Sequence, residues 1–258
     1  MGKIKKGENR LNIGQSNISI IDNKISTIDS DIMQNEIKIK DINNKITKTK
    51  IRNAISQTIK RGIDLLSGIV GCILLFPISI FVVVCNTIFK DKGPIFFTQK
   101  RIGKNGKIFK MYKFRTMVVG AEEILQKHID EQTEIGKEYI EHKKIKDDPR
   151  ITKVGKILRA TSLDEFPQFV NVLKGQMSLV GPRPYLPREK DDMGEYYDYI
   201  VQMKPGVTGP WQVAGRSNLD FEDRLKLDKE YCNKRGNRKD IKIVLSTIAK
   251  VIKKEGAM

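Results

Sequence analysis

Between Asp64 and Lys90 the chain carries no charged side chain: LLSGIVGCILLFPISIFVVVCNTIF. A run of ~20 apolar residues is enough to cross the hydrocarbon core of a bilayer. It is not a cleavable leader, because it starts about 60 residues into the chain and no small-residue cleavage site follows. Pro77 lies at its centre, where the ring removes a backbone hydrogen bond and kinks a helix. The halves on either side, Leu65–Phe76 and Ile78–Phe89, are each too short to cross alone. Lys60 and Arg61 precede the run, and Lys90, Lys92, Lys100 and Arg101 follow it. Positive charge prefers the cytoplasmic side, so both ends are held there. A bent, re-entrant helix over residues 60–90, entering and leaving by the cytoplasmic face, meets both demands. A straight span is the alternative.

Residues 1–59 form an arm poor in aromatics and rich in Ile, Asn, Asp, Ser and Lys. Ile18, Ile21, Ile25, Ile28, Ile32, Ile39, Ile42 and Ile46 fall alternately three and four apart, with Asn35 in the one missing position. That spacing is a heptad seam, and a buried Asn at one seam position fixes register. The expectation is a coiled coil that joins copies of the chain. The competing reading is a low-complexity tail, because Asn, Asp and Ser are weak helix formers.

Residues 91–258 read as a soluble, mixed domain. GPIFFTQKRIGKNGKIFKMYKFRTM alternates apolar and basic residues around a Gly-Asn turn and predicts short strands. Ala121–Tyr139 predicts one polar helix, DDPR a break, and a helix begins near Ser162. GPRP at 181–184 is a rigid loop, and KPGVTGPWQV at 204–213 is punctuated by Gly and Pro and reads as extended. Phe221–Tyr231 predicts a helix, and Asp240–Lys253 an amphipathic one, packed on the domain or lying on a membrane. The fold class expected is α+β, mainly helical: a cytosolic catalytic domain with an N-terminal re-entrant membrane helix and amphipathic interface helices.

The formal net charge of +17 draws anions: nucleic acid, lipid headgroups or phosphorylated substrates. No glycine- or arginine-rich nucleic-acid motif accompanies it. Cys72, Cys85 and Cys232 make no CxxC pair, and His128 and His142 lack nearby Cys partners for a metal. There is no P-loop, no GxGxxG with a following acid, no HExxH and no GxSxG. These absences remove the usual support for ATPase, dehydrogenase, metalloprotease and serine-hydrolase chemistry.

SLDEFPQFVNVLKG is the most informative stretch. Asp164 and Glu165 are adjacent where a helix is expected to begin, and Pro167 suits a first turn. Alone, this is an ordinary helix start in which Ser162 and Glu165 close a capping box. Its surroundings argue for more. Arg150, Lys153, Lys156 and Arg159 crowd the same neighbourhood, Lys113 and Arg115 precede, and Arg183 follows between Pro182 and Pro184. Carboxylates among many cations suit a phosphorylated anion with a divalent metal. A carboxylate also serves as a nucleophile toward phosphorus.

KFRTM at 113–117, RATSLDEFPQFVNVLKGQMSLVGPRP at 159–184 and KPGVTGPWQVAGR at 204–216 resemble the bacterial polyprenyl-phosphate phosphoglycosyl transferases of the monotopic superfamily. The resemblance runs from about Lys60 to the C-terminus and leaves residues 1–59 outside. It implies transfer of a sugar 1-phosphate from a UDP-sugar to polyprenyl phosphate at the cytoplasmic face of the inner membrane, with release of UMP. It implies that Asp164 attacks the β-phosphate and ligates Mg2+, that Glu165 assists, and that Arg159 and Arg183 hold phosphates. Members break their membrane helix at a Ser-Pro pair; Phe76-Pro77 stands here. Gly209-Pro210-Trp211-Gln212-Val213 with Gly215-Arg216-Ser217 looks more like members that use UDP-galactose or UDP-glucose. The alternative is a membrane-tethered oligomeric scaffold with a degenerate transferase fold. Asp164, Glu165, Arg159 and Arg183 are all present, which speaks against degeneracy. A nucleic-acid partner would leave the Asp-Glu pair and Pro-Arg-Pro without a role.

Overall fold

The computed structural model of the chain describes residues 4–142, 145–215, 219–234 and 236–253. Helix α1 spans Ile4–Ile88. The chain divides into two compact units, Met1–Gln57 and Thr58–Met258. In the first unit Ile28, Ile32, Ile39, Ile42 and Ile46 are exposed, so the isoleucine row meets no partner within the unit. The side chains of Ile18, Ile21 and Ile25 lie outside the described residues.

In the second unit the rest of α1 is fastened along its length to the remainder of the unit. Lys60 Nζ donates to the Val180 carbonyl at 2.9 Å and pairs with Asp240 at 2.6 Å. Arg61 donates to the carbonyls of Val172 and Leu173. Asp64 is buried, and one of its oxygens accepts from the Ser178 hydroxyl and the Leu179 N–H, both at 2.8 Å. Gly68 and Gly71 admit Leu173 and Phe169, whose side chains occupy the space a Cβ would need. Past Pro77, Val82 is fully buried in a cluster with Phe114, Val154 and Leu158. At the far end Asp91 accepts from Arg115 at 3.0 Å, and the Lys153 ammonium lies 5.8 Å from the Phe89 ring. Pro77 sits inside α1 without interrupting it. Proline removes one hydrogen bond, and the turns on either side carry the helix across it. Asp64→Ala leaves the Ser178 and Leu179 donors buried without a partner. It should cost about 3 kcal/mol, read by denaturant unfolding in detergent; a loss under about 0.5 kcal/mol would contradict this anchor.

Strands β1 (Phe96–Ile102) and β2 (Ile108–Phe114) form an antiparallel hairpin, Phe96 opposite Phe114 and Ile102 opposite Ile108. Asn105 and Gly106 turn the chain in left-handed conformations, as the Gly/Asn composition of the turn requires. The expected single helix after Gly120 is two, α2 (Ala121–Asp130) and α3 (Glu134–His142). Gln132 takes φ of 50° and Thr133 Oγ1 accepts the Gly136 N–H, so a turn and a cap replace continuation. Helix α4 (Lys153–Thr161) is capped by Thr152, whose side chain accepts from Gly155 N. It ends at Ser162, in left-handed conformation, and the same residue stands at the start of the next helical turn. A 3-10 turn (Leu163–Glu165) follows, without a side-chain cap at Ser162, and then α5 (Gln168–Leu173).

Strand β3 (Ser178–Val180) leads into the Pro-Arg-Pro loop, and the short helix α6 (Tyr197–Ile200) precedes β4 (Gly206–Thr208). The two strands pair in parallel, Ser178 with Gly206 and Val180 with Thr208. The stretch expected to be extended through Val213 turns helical at α7 (Pro210–Ala214), because Pro210 fits a first helical position. Helices α8 (Phe221–Asn233) and α9 (Asn237–Ile252) close the unit. On α9, Ile243 is buried while Ile241, Leu245 and Ile248 face outward, so it is apolar on two sides.

Candidate active site

The site is built where β2 meets the α4–α5 connection. Thr116 and Met117, just past β2, pair with residues 151–152 just before α4: Thr152 N donates to Thr116 O, and Met117 bridges Ile151. A Cβ at Gly155 would overlap the Thr116 carbonyl, so only glycine allows the approach. Asn171 of α5, fully buried, accepts from Tyr112 N at 3.0 Å and donates to Lys110 O at 2.8 Å, replacing a missing strand along β2. These contacts place Lys113, the penultimate residue of β2, over the 3-10 turn.

Lys113 Nζ lies 3.1 Å from Glu165 Oε1 and 3.9 Å from Asp164 Oδ2. Burial pushes the Asp164 carboxyl up to about 6, against the pull of Lys113; Glu165 raises it further and Arg159 lowers it. A carboxylate in this setting is poorly solvated, which raises its nucleophilicity when ionised. The Arg159 Nε donates to Thr116 Oγ1 at 3.0 Å, and Arg159 is near enough to Asp164 to feel its charge. Arg183 sits with its guanidinium 4.9 Å from the Trp211 ring and 5.9 Å from that of Tyr185. Pro182 O accepts from Gly206 N, and Pro184 O from Arg101, so both prolines fix the loop by their carbonyls.

Two of the cations singled out in the sequence are turned inward. Arg115 is buried and donates to Pro94 O, Met117 O and Asp91. Arg150 is buried, forks onto Asp148 at 2.8 and 2.6 Å, and donates to Ala121 O. Lys153 is exposed at the start of α4, beside the apolar end of α1. The site thus gathers Lys113, Arg159, Asp164 and Glu165, with Arg183 on a neighbouring loop. Arg101, which the sequence offered only as a positive charge flanking the apolar run, is buried beside Arg183 instead; its sequence signal for the site is a basic residue facing inward on a strand of alternating pattern. Arg216 and Ser217 lie outside the described residues.

No three His, Cys, Asp or Glu side chains converge among the described residues. Mg2+ does not need three: one or two carboxylates plus substrate phosphates and waters suffice. Asp164 beside Glu165, with Lys113 leaning to the latter, fits that donor set.

The model of the family described as bacterial sugar transferase matches residues 55–254. The chain belongs to the bacterial sugar transferase family. Among curated relatives of this transferase, the galactosyl transferase CpsE of Streptococcus agalactiae serotype III (strain NEM316) is 44% identical over 77% of the chain and 43% of its own length. The undecaprenyl-phosphate galactose phosphotransferase of Salmonella typhimurium (strain LT2) is 37% identical over 88% of the chain and 46% of its own. The exopolysaccharide production protein ExoY of Sinorhizobium fredii (strain NBRC 101917 / NGR234) is 37% identical over 77% of the chain and 87% of its own. The chain therefore spans less than half of the first two and most of the third. Every site residue named above falls inside the segment that the family model covers.

Proposed function

We propose that this bacterial sugar transferase moves a hexose 1-phosphate, galactose or glucose 1-phosphate, from a UDP-sugar to undecaprenyl phosphate and releases UMP, as a first membrane step in building a surface polysaccharide. The observation that carries the reading is the half-buried Asp164–Glu165 pair held under Lys113 at the edge of an apolar helix. The names of the Streptococcus and Salmonella relatives favour galactose.

In the first step Asp164 Oδ attacks the β-phosphorus of the donor. The bond from that phosphorus to the bridging oxygen breaks, and UMP leaves with the electron pair. Lys113 screens Glu165 from Asp164, which keeps two neighbouring carboxylates ionisable together. Arg159 and Arg183 supply positive charge to the phosphate oxygens. In the second step a phosphate oxygen of the carrier lipid attacks the same phosphorus and frees Asp164, with Glu165 placed to assist. Asp164, with Glu165 beside it, would hold Mg2+, which would supply positive charge to phosphate oxygens at this place.

Membrane attachment rests on α1, which is long and apolar enough to cross a bilayer. The helix runs through Pro77 without a break, and two observations favour a course that keeps both ends of the apolar run on one face over a span. Lys60 and Asp64 at one end, and Asp91 at the other, bind the same soluble domain. Between Asp64 and Val82 the helix advances ~27 Å, yet Val82 is still buried by Phe114 and Leu158. A span would leave its domain behind within the first turns.

The arm makes the enzyme a homo-oligomer in this reading. Ile28, Ile32, Ile39, Ile42 and Ile46 lie in heptad register and are exposed; a matching seam from a second copy would cover them. A chain starting near Thr49 should keep its turnover per protomer and lose mass per particle in nanodiscs. Equal oligomer size, after allowing for the deleted residues, would reject the coiled coil.

A further inference from the structure

Arg101, Arg183 and Arg224 stand together, and among the described residues none of them is paired in a salt bridge. Among the described residues no carboxylate oxygen lies within 4.0 Å of any of their guanidinium nitrogens. Arg101 is 8% exposed and donates to the Pro184 carbonyl and the Gln99 side chain, while its Nε is buried without a partner. The Arg183 Nε is also buried and unpartnered. Arg224 donates to the Leu219 carbonyl and lies 5.8 Å from the Trp211 ring, with Arg183 4.9 Å from it. Two acids come near without pairing with a guanidinium: Glu189 attracts Arg101 and Arg224 through space while accepting the Leu186 N–H, and Asp228 meets the Arg183 backbone. The Asp228 Oδ2 accepts from the Arg183 backbone N–H and the Tyr185 hydroxyl, its Oδ1 has no partner, and burial pushes it up to about 7. Burial, and then the charge of Arg183, push Arg101 down to about 10. Buried cations left unpaired are costly, and proteins keep them where a ligand supplies the counter-charge.

The surroundings indicate which phosphate comes here. The arginines border a core of Ile102, Tyr185, Met193, Ile200 and Leu225, to which the apolar helix contributes nothing. Leu163, next to Asp164, packs instead against the cluster that contains Val82 of that helix, as Leu75 and Ile78 do. Arg101 nonetheless senses the charge of Glu165. Asp164 therefore has a helix side, open to a phosphate on a lipid tail, and an arginine side with the Trp211 ring, suited to a nucleotide.

Resting on the phosphoglycosyl-transfer reading, we infer that Arg101 and Arg224 join Arg183 in a preassembled site for the nucleotide phosphate of the donor, on the side of Asp164 away from the membrane helix. The site would hold the UMP phosphate as its bond to the β-phosphorus breaks, and the carrier phosphate would approach from the opposite side.

Trp211 is the only tryptophan in the chain, so its fluorescence reports on this place directly. The full chain in nanodiscs is titrated with UMP, pyrophosphate, uridine and a polyprenyl phosphate in turn. UMP and pyrophosphate should change the emission saturably, and uridine and the lipid should not. Arg101→Gln and, separately, Arg224→Gln should weaken UMP binding at least ~10-fold and leave the KM for polyprenyl phosphate unchanged, with Arg101→Lys recovering part of the loss. Near-UV circular dichroism checks that each variant is folded; the wild-type titration stands even if one is not. Uridine acting as well as UMP, a response to the lipid phosphate alone, or unchanged UMP affinity in both folded variants would overturn the inference. An enzyme that turns over UDP-sugar but shows those results loses only this site. A protein that binds UMP through Arg101 but never releases it from a UDP-sugar keeps the site and loses the proposed function.

Discussion

Asp164→Asn should lower UMP release by ~10³ or more and at the same time make the protein more stable. The first effect follows from removing a nucleophile that splits one transfer into two. The second follows from burial. The folded-state pKa of Asp164 is raised to about 6, whereas an unfolded aspartate titrates near 3.9. At pH 7 the ionised group is therefore a cost to the folded state. That cost shrinks as pH falls through about 6 and is gone below the unfolded value. Asparagine removes it, for a gain of up to about 3 kcal/mol at pH 7, partly offset by the lost attraction to Lys113. Unfolding of both proteins in detergent with EDTA, at pH 7 and pH 4.5, reads the difference. A variant that is inactive and also less stable at pH 7 would mean that Asp164 holds the fold together rather than being strained for chemistry.

The apolar helix gives the second large effect, because its outcome is all or none. In a background lacking Cys72, Cys85 and Cys232, Gln57→Cys and Lys92→Cys place one thiol at each flank of the apolar run, both at exposed positions. In intact cells neither should react with an impermeant maleimide, and both should react once the membrane is opened. Reaction of Lys92→Cys from outside would establish a span. It would also require the Asp91–Arg115 pair and the burial of Val82 to be absent in the membrane.

The sequence made the reacting groups easier to see than the framework that holds them. Asp164, Glu165, Lys113, Arg159 and Arg183 stand out because charged residues in fixed motifs are unusual and local. Their placement depends on residues whose role is long-range. Asn171 reads as one polar residue on a helix, yet it completes the β2 edge. Asp64 reads as the last charge before an apolar run, yet it binds residues more than a hundred positions away. Arg115 and Arg150 carry the same charge as Arg159, and only packing shows that they serve Asp91 and Asp148 instead. Helix ends were misplaced for the same reason. Ser162 and Gln132 adopt left-handed conformations that composition does not dictate, so the helix ending at Ser162 was missed beside the one starting there, and one helix was expected where there are two. The isoleucine row was legible as periodicity, because a heptad is a local pattern.

The central claim, covalent transfer through Asp164, is tested most directly by omitting the second substrate. Purified full-length protein is mixed with UDP-galactose or UDP-glucose and Mg2+, without polyprenyl phosphate, then quenched and digested for mass spectrometry. The account predicts a burst of UMP no larger than the amount of enzyme, and a hexose phosphate on the peptide that contains Asp164, lost when polyprenyl phosphate is added. UMP release that begins only when polyprenyl phosphate is present, with no adduct on Asp164 or with the adduct on another residue, would contradict it.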